Sequence, residues 1–266
     1  MAIAIVVTDR NVENLKQKIV KKLDGQVPVW IYPDIPKPYK VKMAVLWKHP
    51  IRTIVSLPQL ELVSSLGAGV EHILSDPNLT ESIRVVRIVD QKLPLSMSKY
   101  VLMAVLNIHK NFLFYQANQK KQNWARPEQV EVPMKIGILG LGELGQTVAK
   151  ALADLKFEVF GYSLTKKRIK NVTCVSASEM DLAHFVHKIN VLICLLPRTP
   201  QTESILNYKL FKQLPKGSHL INVARGAHLV EADLLKAIEE GYIIGFNQMG
   251  SSGYIDQMGT FRELLK

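Results

Sequence analysis

The chain has 266 residues, 47% of them apolar and 21% charged, with a formal net charge of +11. That length allows one large domain or two modest ones, each able to bury a core, and no low-complexity segment or fixed-period repeat points to a disordered or solenoid chain. Apolar runs such as "VLICLLP" (191–197) are strand-sized, and none approaches the length of a membrane-spanning helix. The positive charge raises nucleic-acid binding as a class, but no long basic run with interleaved aromatics supports it. Affinity for an anionic small molecule accounts for the charge as well.

The N-terminal stretch "MAIAIVVTDR" has no basic leader and reaches Asp9 too early for a secretion signal, so a first strand and a cytoplasmic protein are expected. A strand over 3–9 precedes a helix from Val12 to Leu23 that stops at Gly25. The runs at 27–31, 42–47, 60–67 and 83–89 predict further strands. A long helix from about Ser96 to Trp124 carries apolar residues at three- and four-residue spacing. The second half begins with "VPMKIGILGLGELG" and repeats strand and helix. Strands at 134–140, 157–163, 171–175, 190–197, 218–224 and 242–246 alternate with helices at 143–155, 178–188 and 230–240.

Strands alternating with helices predict parallel βαβ units. The expected fold class is α/β, with two doubly wound parallel-sheet domains, and ligands outside the carboxyl ends of the strands. The expected boundaries are 1–95, 96–250 and a divergent tail, 251–266. Cys174 and Cys194 lie in strand-like settings without CxxC spacing and are read as buried free thiols.

"GILGLGELG" sets Gly140, Gly142 and Gly145 in GxGxxG spacing between a strand and a helix, the context that a dinucleotide-binding turn requires. The first glycine allows the tight turn, the second admits a pyrophosphate, and the third lets helix and strand pack closely. Where an NAD-binding strand would end in an acid, this chain has Ser163, followed by Thr165, Lys166, Lys167 and Arg168. A hydroxyl with nearby cations accepts a 2′-phosphate that a carboxylate would repel, so NADP is favoured over NAD. An ordinary lysine-rich solvated turn is the alternative. "SLGAGVEHIL" places Gly67, Ala68 and Gly69 after a strand, where amides could point at a carboxylate or the chain could simply turn. In "INVARGAHLV", Arg225 ends an apolar run, a costly place for a cation unless it holds an anion.

Together with "AVLWKHP", "RIVDQKLPLSMSKYVLMAVLNIHK", "LLPRTPQTESILN" and "LPKGSHLINVARGAHLVEADLLKAIEEG", these motifs resemble the D-isomer-specific 2-hydroxyacid dehydrogenases, in their glyoxylate/hydroxypyruvate reductase branch. The resemblance runs from about Val41 to Phe246. It implies a flavodoxin-like substrate domain, a Rossmann dinucleotide-binding domain, and NADPH-dependent reduction of a small 2-keto acid. It also implies that Arg225 binds the substrate carboxylate and polarises the keto group, with the amides of Ala68 and Gly69 on the carboxylate's other side. Trp47 would line the substrate pocket or serve as a packed core indole. The cofactor contacts implied are Gly140, Gly142, Glu143, Leu144, Gly145, Ser163, Thr165, Lys166, Pro197, Arg198 and Ala224. A homodimer through the helix at 96–124 is implied as well.

The family also uses a histidine–glutamate pair to supply the proton. After Phe246 its pattern would continue with "DVFxxEP" and later a histidine. Here the chain reads "NQMGSSGYIDQMGTFRELLK", where Asp256 and Glu263 lie in no matching context. A C-terminally altered chain is expected, binding nucleotide better than it turns over substrate. The alternative is a non-catalytic dinucleotide-binding protein. Among the seven histidines, His228 alone lies near Arg225 and is read as a surface residue at a helix start. His184 and His187 share a helix face but lack a third metal ligand.

Overall fold

The computed structural model describes residues 1–90 and 92–248. The chain divides into two compact units, Met1–Asp90 and Gln91–Lys266. The predicted tail, with Asp256 and Glu263, lies outside the described residues.

In the first unit the strands are β1 (Ala2–Val7), β2 (Val29–Ile31), β3 (Val41–Trp47), β4 (Leu62–Ser65) and β5 (Arg84–Val86). The helices are α1 (Glu13–Lys22), between β1 and β2, and the four-residue α2 (Glu71–Leu74). All pairings are parallel, in the order β2-β1-β3-β4-β5. β1 reads AIAIVV and is buried along its whole length, because apolar side chains cover both of its faces. Strand order reverses between β1 and β3, so the carboxyl ends of those strands form the unit's crevice. There the hydroxyl of Thr8 donates to the carbonyl of Lys48 (2.6 Å).

The second unit opens with α3 (Lys92–His109) and α4 (Phe112–Lys120). The single predicted helix is therefore two. Asn111 takes a left-handed backbone (φ 53°) that stops the ladder, and its side-chain amide donates to the carbonyls of Gln129 and Val130. Apolar spacing alone cannot register such a break, because it continues across it.

Then follow β6 (Lys135–Leu139), α5 (Glu143–Asp154), β7 (Glu158–Ser163), β8 (Thr173–Ser176), α6 (Leu182–Val186), β9 (Val191–Cys194), α7 (Tyr208–Phe211), β10 (Ser218–Asn222), α8 (Glu231–Glu239) and β11 (Ile243–Gln248). Their parallel sheet runs β11-β10-β9-β6-β7-β8. One apolar layer lies under α3 and α5, and another under α6, α7 and α8. The helix predicted from Ser178 starts later because Asp181 caps it, accepting from the His184 amide (2.8 Å). Both cysteines are free. Cys194 is fully buried, whereas Cys174, expected to be buried, is only half-buried near the sheet's edge.

Candidate functional site

Strand order in the second unit reverses between β6 and β9, and the glycine-rich turn leaves β6 at that point. Gly140 has φ 97°, and a Cβ there would lie 2.8 Å from the carbonyl oxygen of Leu195. A Cβ at Gly145 would lie 1.9 Å from the oxygen of Gly140. The protein itself therefore forces glycine at both positions. Gly142 differs: nothing lies within 4 Å of a Cβ built there, and its φ is an ordinary −70°. The chain's own packing does not force glycine at this helix-capping position, and the space beside it is open to an approaching group.

Gly142 caps α5, whose first internal bond runs from the Gln146 amide to the Gly142 carbonyl. The amides of Glu143, Leu144 and Gly145 are left to face outward with the positive end of the helix dipole. Glu143 is exposed, and Leu144 packs against the core beneath α5.

At the end of β7 the Ser163 side chain is nearly buried and its hydroxyl donates to the carbonyl of Thr165 (2.8 Å). Its single proton is thus engaged within the turn. Lys166 is paired with Glu179, whose carboxyl is held down at about 2, first by Lys166 and then by the Ser176 amide and hydroxyl. Lys167 and Arg168 have no such partner among the described residues. With Lys166, Ile169, Lys170, Val172 and Cys174 they line a cleft of about 430 Å³. Four cations around one cleft favour an anion.

The loop after β9 carries Pro197 and Arg198, the latter ion-paired with Glu203 (3.0 Å). The Pro197 carbonyl accepts from the Thr202 hydroxyl (2.7 Å) and lies 3.2 Å from Nε2 of His228. After β10 the buried Asn222 side chain organises the next turn. Its oxygen accepts from the Ala224 amide (3.2 Å), and its nitrogen donates to the Arg225 carbonyl (3.1 Å).

Arg225 corrects the expectation of a cation lodged at a buried strand end. It stands three residues beyond β10 and is exposed, so no burial cost demands a partner. Its Nη1 donates to the Ala224 carbonyl (3.0 Å).

His228 requires the opposite correction: expected at the surface, it is fully buried. Its ring is enclosed between the Arg225 and Pro197 carbonyls, and a bridge between Leu206 and Leu229 closes the segment around it. Asn222 and His228 organise this turn from within the fold. Their only trace in the sequence is polarity inside an apolar stretch.

In the first unit, Trp47 ends β3 with its ring against Gly67; a Cβ at 67 would lie 2.6 Å from the indole. The Ser65 hydroxyl donates to the Gly69 carbonyl (2.6 Å) and accepts from the Gly67 amide (3.2 Å), closing the turn. The amides of Ala68 and Gly69 find no acceptor among the described residues. Among those residues no cluster of three metal-ligating side chains occurs, and His184 pairs with its own helix cap, Asp181.

Comparison with known proteins places these features in a family. Residues 102–247 match the family model described as the D-isomer specific 2-hydroxyacid dehydrogenase NAD binding domain. The chain is 40% identical over 207 residues to glyoxylate/hydroxypyruvate reductase A of Yersinia enterocolitica, covering 75% of this chain and 66% of that relative. The Photorhabdus laumondii protein of the same name is 38% identical over 208 residues, with 76% and 66% covered.

Among solved structures, a D-isomer specific 2-hydroxyacid dehydrogenase from Xanthobacter autotrophicus Py2, in complex with NADPH and MES, superposes with TM-score 0.85. It is 28% identical, with 95% of this chain and 82% of that chain covered. The NADPH-dependent glyoxylate/hydroxypyruvate reductase of Sinorhizobium meliloti, in complex with NADP and sulfate, gives 0.81 at 30% identity, with 96% and 83% covered. The chain described here belongs to the D-isomer specific 2-hydroxyacid dehydrogenase family.

Proposed function

We propose that the chain binds NADPH and reduces a small 2-keto acid of the glyoxylate or hydroxypyruvate type to the 2-hydroxy acid. The observation carrying this reading is the turn at 140–145. Gly140 and Gly145 are required by the fold, while Gly142 stands clear at the mouth of a helix with outward amides. That contrast fits a pyrophosphate approaching the backbone. Relatives solved with NADPH or NADP support the cofactor, as does the absence of a carboxylate at Ser163. NAD is the weaker ligand on this reading. The cations of Lys166, Lys167 and Arg168 would meet the 2′-phosphate, with Thr165 beside them, and Pro197, Arg198 and Ala224 would border the nicotinamide end.

The bound cofactor would supply a hydride to the keto carbon. Arg225 is the group of the second unit that we assign to the substrate carboxylate and the developing alkoxide, an exposed fork on a backbone held by Asn222 and His228. The amides of Ala68 and Gly69, with Trp47, are the corresponding groups of the first unit. A homodimer through α3 and α4 is part of the proposal. Those helices leave Met103, Leu106, Phe112, Leu113 and Tyr115 exposed, a patch suited to an interface. The described helices include none long and apolar enough to cross a membrane. We place the protein in the cytoplasm, in keeping with its free thiols.

Proton supply separates this reading from a second one, a dinucleotide-binding protein without turnover. The second is favoured by His228, whose ring nitrogens both face backbone carbonyls. A positioned acid–base group contributes about 10²–10⁴-fold to a rate, so turnover of glyoxylate by the NADPH-bound polypeptide is what separates the two readings. Oxidation of NADPH, followed by absorbance with glyoxylate or hydroxypyruvate, is the test. Turnover with either acid supports the reductase; NADPH binding without it supports the second reading; absence of NADPH binding refutes both.

A further inference from the structure

The first unit buries a histidine and an aspartate that the proposed chemistry does not use. His49 Nε2 lies 3.0 Å from Asp76 Oδ2, with side chains only 3% and 2% exposed. The other Asp76 oxygen accepts from the Asn78 amide (2.8 Å) and the Asn78 side chain (2.9 Å), which also donates to the Ile51 carbonyl (2.9 Å). Burial works to raise the Asp76 carboxyl, yet hydrogen bonds from Asn78 and His49 hold it below the usual range. Asp76 is therefore an acceptor, and His49 donates to it through Nε2–H.

Replacing such a pair by packed apolar side chains is often neutral or stabilising, so stability alone does not account for it. Its location offers another reason. His49 lies two residues beyond Trp47, after a left-handed Lys48 (φ 47°), and Asp76 lies two residues beyond α2. A four-residue helix cannot hold itself in place and depends on its anchors. Between the two ends, the His72 ring on α2 meets the Trp47 ring edge-on (4.8 Å between centroids, 68°) and lies 6.1 Å from the His49 ring. Trp47 rests on Gly67, at the start of the turn that leads into α2. Ser65 secures the near side of that turn, and the His49–Asp76 bond secures the far end of the helix following it. Nε1 of Trp47 and Nδ1 of His49 are buried and without a hydrogen-bond partner among the described residues, so the indole has no hydrogen bond of its own and the His49 ring is held through Nε2 alone.

We propose that His49 and Asp76 are positioning residues: their hydrogen bond clamps the loop after β3 to the end of α2 and so fixes the Trp47 indole and the Ala68–Gly69 amides. The consequence for substrate rests on the functional reading above; the clamp itself does not.

The test uses the full chain with Trp30→Phe and Trp124→Phe, leaving Trp47 as the only indole. His49→Phe removes the donor while filling the space, and His49→Gln returns an N–H at the same reach. Acrylamide quenching of Trp47 should increase in His49→Phe and return toward the parent in His49→Gln. The hydrogen bond to a carboxylate corresponds to about tenfold in KM for glyoxylate, expected in His49→Phe with kcat and NADPH affinity nearly unchanged. Should His49→Phe fail to fold, Asp76→Asn carries the same comparison. Unchanged quenching in a folded His49→Phe or Asp76→Asn, or a His49→Gln as impaired as His49→Phe, overturns the clamp. If the parent turns over no keto acid, the functional reading fails while the quenching comparison still decides the clamp.

Discussion

The carbonyl oxygen of Arg225 lies 3.1 Å from Nδ1 of the fully buried His228 and also accepts from the His228 amide (3.2 Å). The arginine's backbone is thus held from inside the fold, while the residue as a whole is exposed and its Nη1 donates to the Ala224 carbonyl. A side chain presented in this way can be removed without opening a cavity. Arg225→Ala should leave thermal stability and NADPH binding close to the parent's while abolishing protection by oxalate or glyoxylate. Loss of a charge-assisted carboxylate contact corresponds to about a hundredfold or more in affinity. Equal protection of mutant and parent against thermal unfolding would remove Arg225 from the substrate site.

The three turn glycines should separate by phenotype. Gly145→Ala drives a methyl into the Gly140 carbonyl at 1.9 Å, an overpacking expected to cost about 1–3 kcal/mol of stability. Gly142→Ala meets nothing in the chain and should melt like the parent while binding NADPH more weakly. Calorimetry and a fluorescence titration on both variants read the two effects apart. Full NADPH affinity in Gly142→Ala would mean that no phosphate approaches there.

Cofactor preference should follow charge at the end of β7. Ser163→Asp places a carboxylate where the 2′-phosphate is expected and should shift preference toward NADH. Lys167→Ala with Arg168→Ala should weaken NADPH more than NADH and flatten the salt dependence of its binding. Parallel titrations of the two nucleotides decide it, and equal loss for both would show the cleft's cations to be solvated surface.

His219 makes stability depend on pH. Burial against Gly245 lowers its pKa to about 4, whereas the unfolded chain titrates near the ordinary value of 6.5. The folded state keeps the ring neutral, so between those values the unfolded state binds more protons. The stability contributed is complete above pH about 6.5 and is lost as the pH falls toward about 4, to at most about 3 kcal/mol. Denaturant titrations of the parent and His219→Leu across that window should show a shallower slope in the variant. Below it, Asp9 and Glu179, both held down at about 2, add loss of the same sign. Identical slopes would show that His219 is not the group responsible.

The exposed apolar face of α4 supplies the remaining prediction. Phe112→Glu with Tyr115→Glu should convert a dimer to monomers in sedimentation velocity without altering secondary structure. A monomeric parent chain would refute assembly through this face.

What the residues determined by themselves is local or nearly so. Short apolar and β-branched runs set the strands, and positive-φ glycines such as Gly25 and Gly241 stand just beyond helices. The spacing of Gly140, Gly142 and Gly145 specifies a turn whose three demands can be read within six residues. Contacts between distant segments decided the rest. Asn111 breaks a helix because carbonyls at Gln129 and Val130 receive its side chain. Glu179 reaches back across thirteen residues to take the charge of Lys166. Asp76, twenty-seven residues from His49, makes that histidine an anchored donor. His228 passes for a surface residue until Leu206 and Pro197 close over it. Sequence displays which groups can donate or accept; which partner each one meets is settled only when the chain brings remote segments within hydrogen-bonding distance.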